Sequence, residues 1–337
     1  MKKGFLVLLA TVFLLACYVP VSAADWDLYG SARVTTFWTD FSEERGDTTE
    51  LNHTLQPNSR IGAFVNAGDI GGRFEYGTGG GNANIRLLYA DFPLGPGKLL
   101  VGQHYGPYGI GSFISTRVID TDAGLLQFIP YSGRVPLVQY TVNDFKIALA
   151  RANEVGNPEV QLPQLQASYD LNLVEGLRLN LAGIFQSYDV DGGDGDTLNA
   201  WAAGFNARFT MMDPVYVNLG GFYGQNVADF GQWSINNSSS MIDNGDVEDT
   251  DTFAVGLVLG TQLPTMRIEG GVGYVNSEND NWVEDDEVII YYAQANIPIV
   301  GGASITPEIG FKDFQDNPDG TDAGDEFYVG LQWRVDF

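Results

Sequence analysis

The side chains of this sequence that could act on a dissolved solute are a few arginines and a few aspartates. The arginines lie in stretches where polar and apolar residues alternate, and the aspartates lie in a long connection between two such stretches. Arginines face hydrocarbon only at a high cost, so a water-filled interior is their natural place. Cations on one wall and carboxylates opposite them would filter solutes by charge and dipole. The cations are Arg33, Arg60 and Arg134, and the carboxylates are Asp120 and Asp122.

The elements that must position these residues are extended strands with two unlike faces. Residues 326–337 read EFYVGLQWRVDF, and because successive side chains of a strand point to opposite sides, one face is apolar and the other is mostly polar. The same alternation, punctuated by Gly, Asn, Asp and Pro, predicts about sixteen strands. They are expected near residues 26–38, 58–67, 71–78, 84–92, 98–105, 134–142, 144–152, 161–171, 177–188, 197–210, 214–224, 251–262, 265–276, 287–298, 303–314 and 325–337.

The connections between these strands alternate in length. The even-numbered connections are tight, such as 67–69 and 142–144, whereas most odd-numbered ones are long and polar, such as 40–58 and 225–250. A barrel in an outer membrane has short periplasmic turns and long external loops, and a soluble sandwich has no reason to keep this parity. The sequence therefore predicts an all-β fold, a transmembrane antiparallel up-and-down β-barrel whose lumen holds water. A soluble all-β protein is the alternative.

The third odd-numbered connection, residues 105–133, is the candidate for narrowing the lumen. Its middle is largely apolar, so leaving it loose in water would be costly. We expect this loop to fold into the pore against the inner wall and to present Asp120 and Asp122 to the passage. Arg117 lies in the same segment and is counted with the candidate constriction residues. The alternative is an external loop that caps the barrel.

The first 23 residues have the features of a secretory signal peptide. Lys2 and Lys3 precede an apolar run, and Val21-Ser22-Ala23 forms a small-residue cleavage site, so residues 1–23 are excluded from the fold and 24–337 are assigned to the barrel. The only cysteine, Cys17, lies inside this segment, and a lipoprotein acylation site at Cys17 is the alternative interpretation. After residue 23, no apolar run approaches the ~18 residues that a spanning helix needs.

The charge and composition limit the partners and the chemistry. A formal net charge of −26 argues against nucleic acid as a partner. The two histidines, His53 and His104, fall in no recognisable pattern with a serine and an acid, so catalysis is not expected.

Several connections are dense in aspartate and glycine, a composition that can wrap Ca²⁺ with oxygen ligands. A solvated, screened surface is the alternative interpretation of these loops. No other cofactor is expected. The candidate calcium ligands are Asp189, Asp191, Asp194 and Asp196.

The chain resembles the general diffusion porins of Gram-negative outer membranes over most of residues 24–337. The resemblance implies sixteen strands, usually a homotrimer, an inward third loop that bears acids, and wall arginines opposite it. The motifs that carry it are Leu28-Tyr29-Gly30, Ser59-Arg60-Ile61-Gly62, Leu88-Tyr89-Ala90-Asp91, Gly102-Gln103-His104-Tyr105-Gly106, Gly133-Arg134-Val135 and the terminal Phe337.

The match of the basic residues to that family is incomplete. By motif, Arg60 and Arg134 stand at two of the wall-arginine positions, the third is Gln103 here, and Arg33 lies two residues from a basic position of the first strand. The resemblance therefore implies a reduced basic cluster, which favours cations.

The sequence as a whole predicts a passive diffusion channel for small hydrophilic solutes and ions. Its expected place is the outer membrane of a Gram-negative bacterium, in contact with lipid and lipopolysaccharide. A substrate-selective channel is the first alternative, and a non-conducting adhesive or structural barrel is the second.

Overall fold

The computed structural model describes residues 24–79, 82–113, 115–122, 124–155, 158–160, 162–190, 195–243 and 246–337. The expected signal peptide and Cys17 lie outside these ranges, so the assignment of residues 1–23 stays a prediction. None of the helices in the described ranges is long and apolar enough to cross a membrane.

Almost all of the regular structure is β-strand. The only α-helix among the described residues is the short α1, Ile119–Asp122, and 3₁₀ turns occupy Glu43–Arg45 and Leu126–Phe128. The strands are β1 Asp25–Phe41, β2 Thr49–Leu55, β3 Arg60–Ala67, β4 Ile70–Gly77, β5 Asn84–Leu94, β6 Gly97–Tyr105, β7 Arg134–Val142, β8 Phe145–Ala150, β9 Gln164–Val174, β10 Leu177–Asp189, β11 Thr197–Met212, β12 Val215–Gln225, β13 Met241–Asp243, β14 Asp246–Glu248, β15 Asp251–Gln262, β16 Arg267–Glu278, β17 Asp286–Val300, β18 Ala303–Phe314 and β19 Asp325–Asp336.

The strands close into a cylinder in which each strand pairs antiparallel with its neighbours. β1 joins the two ends of the chain, because it pairs with β19 on one side and with β2 and β3 on the other. β2 and β3 pair with successive parts of β1, so together they form a single column of the wall, and β13 and β14 form a separate hairpin. The barrel thus has sixteen columns, and the prediction of an all-β, sixteen-stranded antiparallel barrel is confirmed.

β2 is the strand that the sequence did not predict. Residues 49–55 read TELNHTL, every one of them is exposed, and they were expected to lie in a long loop. The segment is extended because it pairs with the outer half of β1, from Val34↔Leu55 to Asp40↔Thr49. This tertiary pairing overrides a local pattern that lacks an apolar face.

The wall has an apolar outer face and a mostly polar inner face. In β19, Phe327 and Trp333 are 42% and 50% exposed, whereas Tyr328 and Gln332 between them are 0% and 2% exposed. This alternation is the one expected when strands separate lipid from a wet lumen. The terminal Phe337 closes the seam, since its backbone N–H donates to the Gly30 carbonyl at 3.0 Å.

The two ends of the barrel differ as the connection lengths predict. Tight turns such as 68–69, 143–144 and 301–302 join strands at one end, here called the turn end. The long connections 42–59, 106–133 and 226–250 leave from the opposite end, here called the loop end. The connection between β6 and β7, residues 106–133, does not stay outside. It folds into the barrel, as predicted.

The inner loop, defined as residues 106–133, provides much of the buried apolar cluster. Tyr108, Phe113 and Phe128 are at most 2% exposed and pack with side chains of the wall. Glycines on the wall make room for the loop: a Cβ atom at Gly273 would overlap the ring of Phe128. The loop is therefore a fixed part of the interior, held against the β11 to β19 side of the barrel.

Candidate functional site

Two wall glutamates hold the inner loop by its backbone. Glu308 of β18 accepts hydrogen bonds from the Val118 and Ile119 amides at 2.6 and 3.2 Å. Glu269 of β16 accepts one from the Thr116 amide at 2.7 Å. Both glutamate side chains are buried. Because a buried amide that lacks an acceptor is costly, these contacts fix the stretch 116–119 against the wall.

Arg117 and Asp120 belong to an ionic network and do not form the acidic side of a constriction. The Arg117 side chain is fully buried, donates to Tyr328 Oη at 3.0 Å and pairs with Asp120 at 2.9 Å. Lys312 lies 3.1 Å from the same carboxylate and 3.2 Å from Glu326. Two cations thus compensate the Asp120 charge. The expectation that Asp120 opposes the arginines across the pore does not match this geometry, and the side chain of Asp122 is outside the described structure.

The network also sets the ionisation of its members. Burial works against the charged form of Asp120, but Arg117 and Lys312 outweigh it and hold the pKa of Asp120 below its usual range. Burial likewise opposes the charge on Arg117, and the neighbouring Tyr328, Asp120 and Glu308 more than offset it, so the pKa of Arg117 lies above its usual value. Both residues stay charged at neutral pH.

A hydrogen-bonded bridge joins the inner loop to the β1 side of the barrel. Gln56, between β2 and β3, donates to the Val118 carbonyl at 2.6 Å and accepts from Gln332 of β19 at 2.5 Å. Gln56 and Gln332 are each 2% exposed. On the loop-end side of this bridge lies a side cavity of about 390 Å³. It is lined among others by Thr39, Glu50, Gln56, Asp120, Lys312 and Glu326.

The wall facing the loop carries a cluster of arginines around one glutamate. Glu75 is 1% exposed and lies 2.6 Å from Arg86, 3.1 Å from Arg73 and 3.6 Å from Arg60. The Tyr29 hydroxyl also donates to Glu75 at 2.8 Å. One carboxylate among three guanidiniums fixes their positions and leaves the cluster with a net positive charge.

Two cavities adjoin at Arg33 and Arg60. The outer cavity, about 460 Å³, reaches toward the loop end, where Asn84 begins β5 and Arg134 begins β7. The inner cavity, about 280 Å³, reaches toward the turn end, where Arg267 begins β16. Arg33 and Arg60 line both cavities, and no aspartate or glutamate is among the described residues that line either one.

The two cavities differ in their remaining side chains. The outer one has an aromatic rim, in which Tyr131 lies 6.2 Å from Tyr105 and 6.5 Å from Trp233, measured between ring centroids. The inner one is lined mostly by hydroxyl and amide groups. The outer lining includes Arg33, Arg60, Arg86, Arg134, Tyr105, Tyr131 and Trp233, and the inner lining is Arg33, Arg60, Arg267, Arg334, Ser115, Thr116, Val118, Asn296, Thr306 and Gln332.

Arg33, Arg60 and Arg134 thus line one cavity together, whereas Gln103, Arg117 and Asp120 do not line it. Gln103 lines neither cavity, and its amide donates to the Ile85 carbonyl at 2.8 Å. The sequence did not single out Arg267 and Arg334. Strand alternation could have identified both residues, because each lies on the polar face of an alternating strand, as Arg33 does.

The calcium hypothesis stays a prediction. Asp191 and Asp194 lie outside the described residues. Asp189 accepts a hydrogen bond from the Thr197 hydroxyl at 2.8 Å, and Asp196 accepts one from the Val247 amide at 3.4 Å. Among the residues that the structure describes, no group of three or more His, Cys, Asp or Glu side chains could hold a metal ion.

Solved structures of outer-membrane barrels share this fold. The outer membrane channel DcaP of Acinetobacter baumannii has a TM-score of 0.74 at 19% identity, covering 93% of this chain and 97% of that one. OmpT of Vibrio cholerae in its trimer form has a TM-score of 0.62 at 14% identity, covering 94% and 100%. An anion-selective porin from Comamonas acidovorans has a TM-score of 0.61 at 13% identity, covering 93% and 100%.

Searches by sequence add nothing to these structural matches. No protein-family model and no curated protein matches the chain. The resemblance to porins is confirmed at the level of the fold.

Proposed function

We propose, from a barrel fold shared with the porins of Gram-negative outer membranes, that this chain is a passive channel of the outer membrane. Small hydrophilic solutes and ions would diffuse through it without a chemical step. The loop end would face the exterior and the turn end the periplasm, as in other outer-membrane barrels. The outer apolar face would contact lipid and lipopolysaccharide.

The passage runs between the inner loop and the arginine wall. The outer and inner cavities adjoin at Arg33 and Arg60 along this route. The side cavity does not continue into this route, because the hydrogen bonds of Gln56 to Val118 and Gln332 separate it from the inner cavity. A solute that enters the side cavity therefore meets buried amides, whereas one that enters the outer cavity meets an arginine-lined opening.

The channel prefers anions, and this replaces the sequence-based expectation of cation selectivity. That expectation required loop carboxylates facing the passage, yet Asp120 is compensated by Arg117 and Lys312. The observation that carries the proposal is the lining of both cavities by arginines, with no described carboxylate among the lining residues. The acidic external loops act at longer range, and salt screens charges beyond about 8–10 Å. The charge at the narrowest point therefore decides selectivity.

A homotrimer is the proposed assembly. Its support is the shared fold with OmpT of Vibrio cholerae, one of whose structures is a trimer form. Cross-linking of the protein in detergent, read as the mass of the largest species, tests this part separately from conduction.

The experiment that tests the channel is a planar-bilayer recording with a gradient of KCl across the membrane. We expect discrete conductance steps and a reversal potential whose sign reports chloride as the more permeant ion. Conductance with potassium as the more permeant ion would overturn the anion preference and restore the cation expectation. Absence of any conductance from folded protein would favour a structural barrel.

A further inference from the structure

The inner cavity combines four guanidinium groups with donors that suit an oxyanion. Arg33 and Arg334 are direct partners in the β1–β19 register, so two cations lie side by side on adjacent strands. Arg267 and Arg60 add two more from other parts of the lining. Like charges this close repel one another, and an anion among them would relieve the repulsion.

Arg334 and Arg267 differ in how their guanidinium groups are paired. Arg334 contacts both Asp336 oxygens through its Nε atom, each at 2.9 Å, so its charge is partly offset by a neighbour outside the lining. The Nε atom of Arg267 is buried and has no hydrogen-bond partner among the described residues. A buried donor without a partner is costly, and more so on a charged group. The Arg267 side chain lines the cavity, so a bound anion there would compensate its charge.

The remaining lining selects the kind of anion. Ser115, Thr116 and Thr306 contribute hydroxyls, and Asn296 and Gln332 contribute amides. Val118 is the one aliphatic side chain among the described lining residues, so the cavity offers little apolar surface to an organic skeleton. Guanidiniums and hydroxyls arranged around a compact polar space match the several acceptor oxygens of a phosphate group.

We infer that the inner cavity is a saturable binding site for phosphate-type tetrahedral oxyanions, built from Arg267, Arg334, Arg33 and Arg60 on the periplasmic side of the narrow opening. This inference rests on the proposed passage through Arg33 and Arg60, because the ligand reaches the site along that route. An oxyanion held there occupies the conducting path, so it reduces the flow of chloride while it is bound.

The test is block of single-channel chloride current by inorganic phosphate added at the turn end, at constant ionic strength. We expect the current to fall along a saturating curve. In the Arg267→Gln variant the half-blocking concentration should rise about tenfold, which corresponds to the loss of about 1.4 kcal/mol of binding free energy. Arg267→Lys, which keeps the charge but loses the planar fork of donors, should lie between the two.

Arg208→Gln is the matched control. It removes an arginine from the turn-end half of β11 that does not line the inner cavity, and it should change the half-blocking concentration less than twofold. A second arm replaces inorganic phosphate with glucose 6-phosphate. Block by the ester as well as by phosphate means that the site takes a phosphate headgroup, and block by phosphate alone means that it takes the free anion.

The outcomes separate this inference from the channel proposal. Chloride preference in a KCl gradient together with a phosphate effect that never saturates would overturn the oxyanion site and leave the channel intact. Equal effects of Arg267→Gln and Arg208→Gln would also overturn it, because the block would then follow total charge and not this cavity. Potassium preference in the KCl gradient would instead overturn the proposed anion preference, and absence of any conductance would overturn the channel itself.

Discussion

Replacement of Glu308 by alanine should loosen the inner loop and enlarge the conductance. Glu308 is 3% exposed and accepts the Val118 and Ile119 amides at 2.6 and 3.2 Å. A buried amide that loses its acceptor costs about 1–3 kcal/mol, so two of them amount to roughly 2–6 kcal/mol. Relief from burying the carboxylate offsets part of this loss, and a net effect on the order of 3 kcal/mol remains.

That loss has a specific structural consequence. The Val118 carbonyl accepts the Gln56 amide, so release of Val118 also breaks the bridge between the side cavity and the inner cavity. A change of about 3 kcal/mol in the free-energy difference between the attached and the released inner loop raises the population ratio of released to attached loop roughly a hundredfold. We expect a larger single-channel conductance in KCl and more open-channel noise, both measured in planar bilayers.

The matched control for this variant is Glu50→Ala. Glu50 is exposed and lines the side cavity, so its loss removes a carboxylate from the same interior while leaving the loop contacts in place. Thermal unfolding followed by circular dichroism checks that both variants keep the barrel. Equal conductance and noise in Glu308→Ala, Glu50→Ala and the unchanged protein would show that Glu308 does not hold the inner loop in place.

Three further predictions concern charge, packing and pH. Replacing Arg60 and Arg134 together by glutamine should shift the chloride over potassium permeability ratio toward potassium by up to about a hundredfold. Each charge ~6 Å from a passing ion changes the energy of chloride and that of potassium by about 0.7 kcal/mol in opposite directions in a water-like medium. An unchanged reversal potential would mean that the constriction lies elsewhere. Gly273→Ala should lower the free energy of unfolding by about 1–3 kcal/mol in denaturant, because the new methyl group overlaps the Phe128 ring. Gly183→Ala should lower it less, because a Cβ atom at Gly183 would lie 3.7 Å from its nearest neighbour. The pKa of Asp120 is lowered, so its contribution to stability is complete above the ordinary value of 3.8 and is lost only as pH falls through the lower folded value. Acidification from pH 7 to pH 5 should therefore leave its ion pairs intact and the conductance unchanged. A conductance change at pH 5 that disappears in the Asp120→Asn variant would contradict this prediction.

The sequence predicted the barrel because its signals are local and repeated. Alternation such as that of 326–337 follows from the geometry of a strand, and the parity of connection lengths follows from chain direction. β2 was missed because residues 49–55 have no apolar face, and their extended form depends on pairing with β1.

The charge that lines the passage could not be predicted from the sequence in the same way. Strand parity and motif predicted Arg33, Arg60 and Arg134 as pore residues, and all three line the outer cavity. Asp120 was expected to face them, and the structure instead pairs it with Lys312, which is 192 residues away in sequence. The partner of a loop carboxylate depends on where the loop docks, and no pattern in the loop itself specifies that. The proposed selectivity therefore rests on the tertiary structure, whereas the fold could be predicted from the sequence.

A substituted cysteine can report whether solutes pass between the inner loop and the arginine wall. Because Cys17 is the only cysteine of the chain and lies in the expected signal peptide, Arg60→Cys would give the mature barrel a single thiol in the proposed passage. A bulky anionic thiol reagent should then abolish most of the chloride current, while the same reagent on Thr39→Cys, in the side cavity, should leave it nearly unchanged. Block at position 39 with none at position 60 would contradict the account.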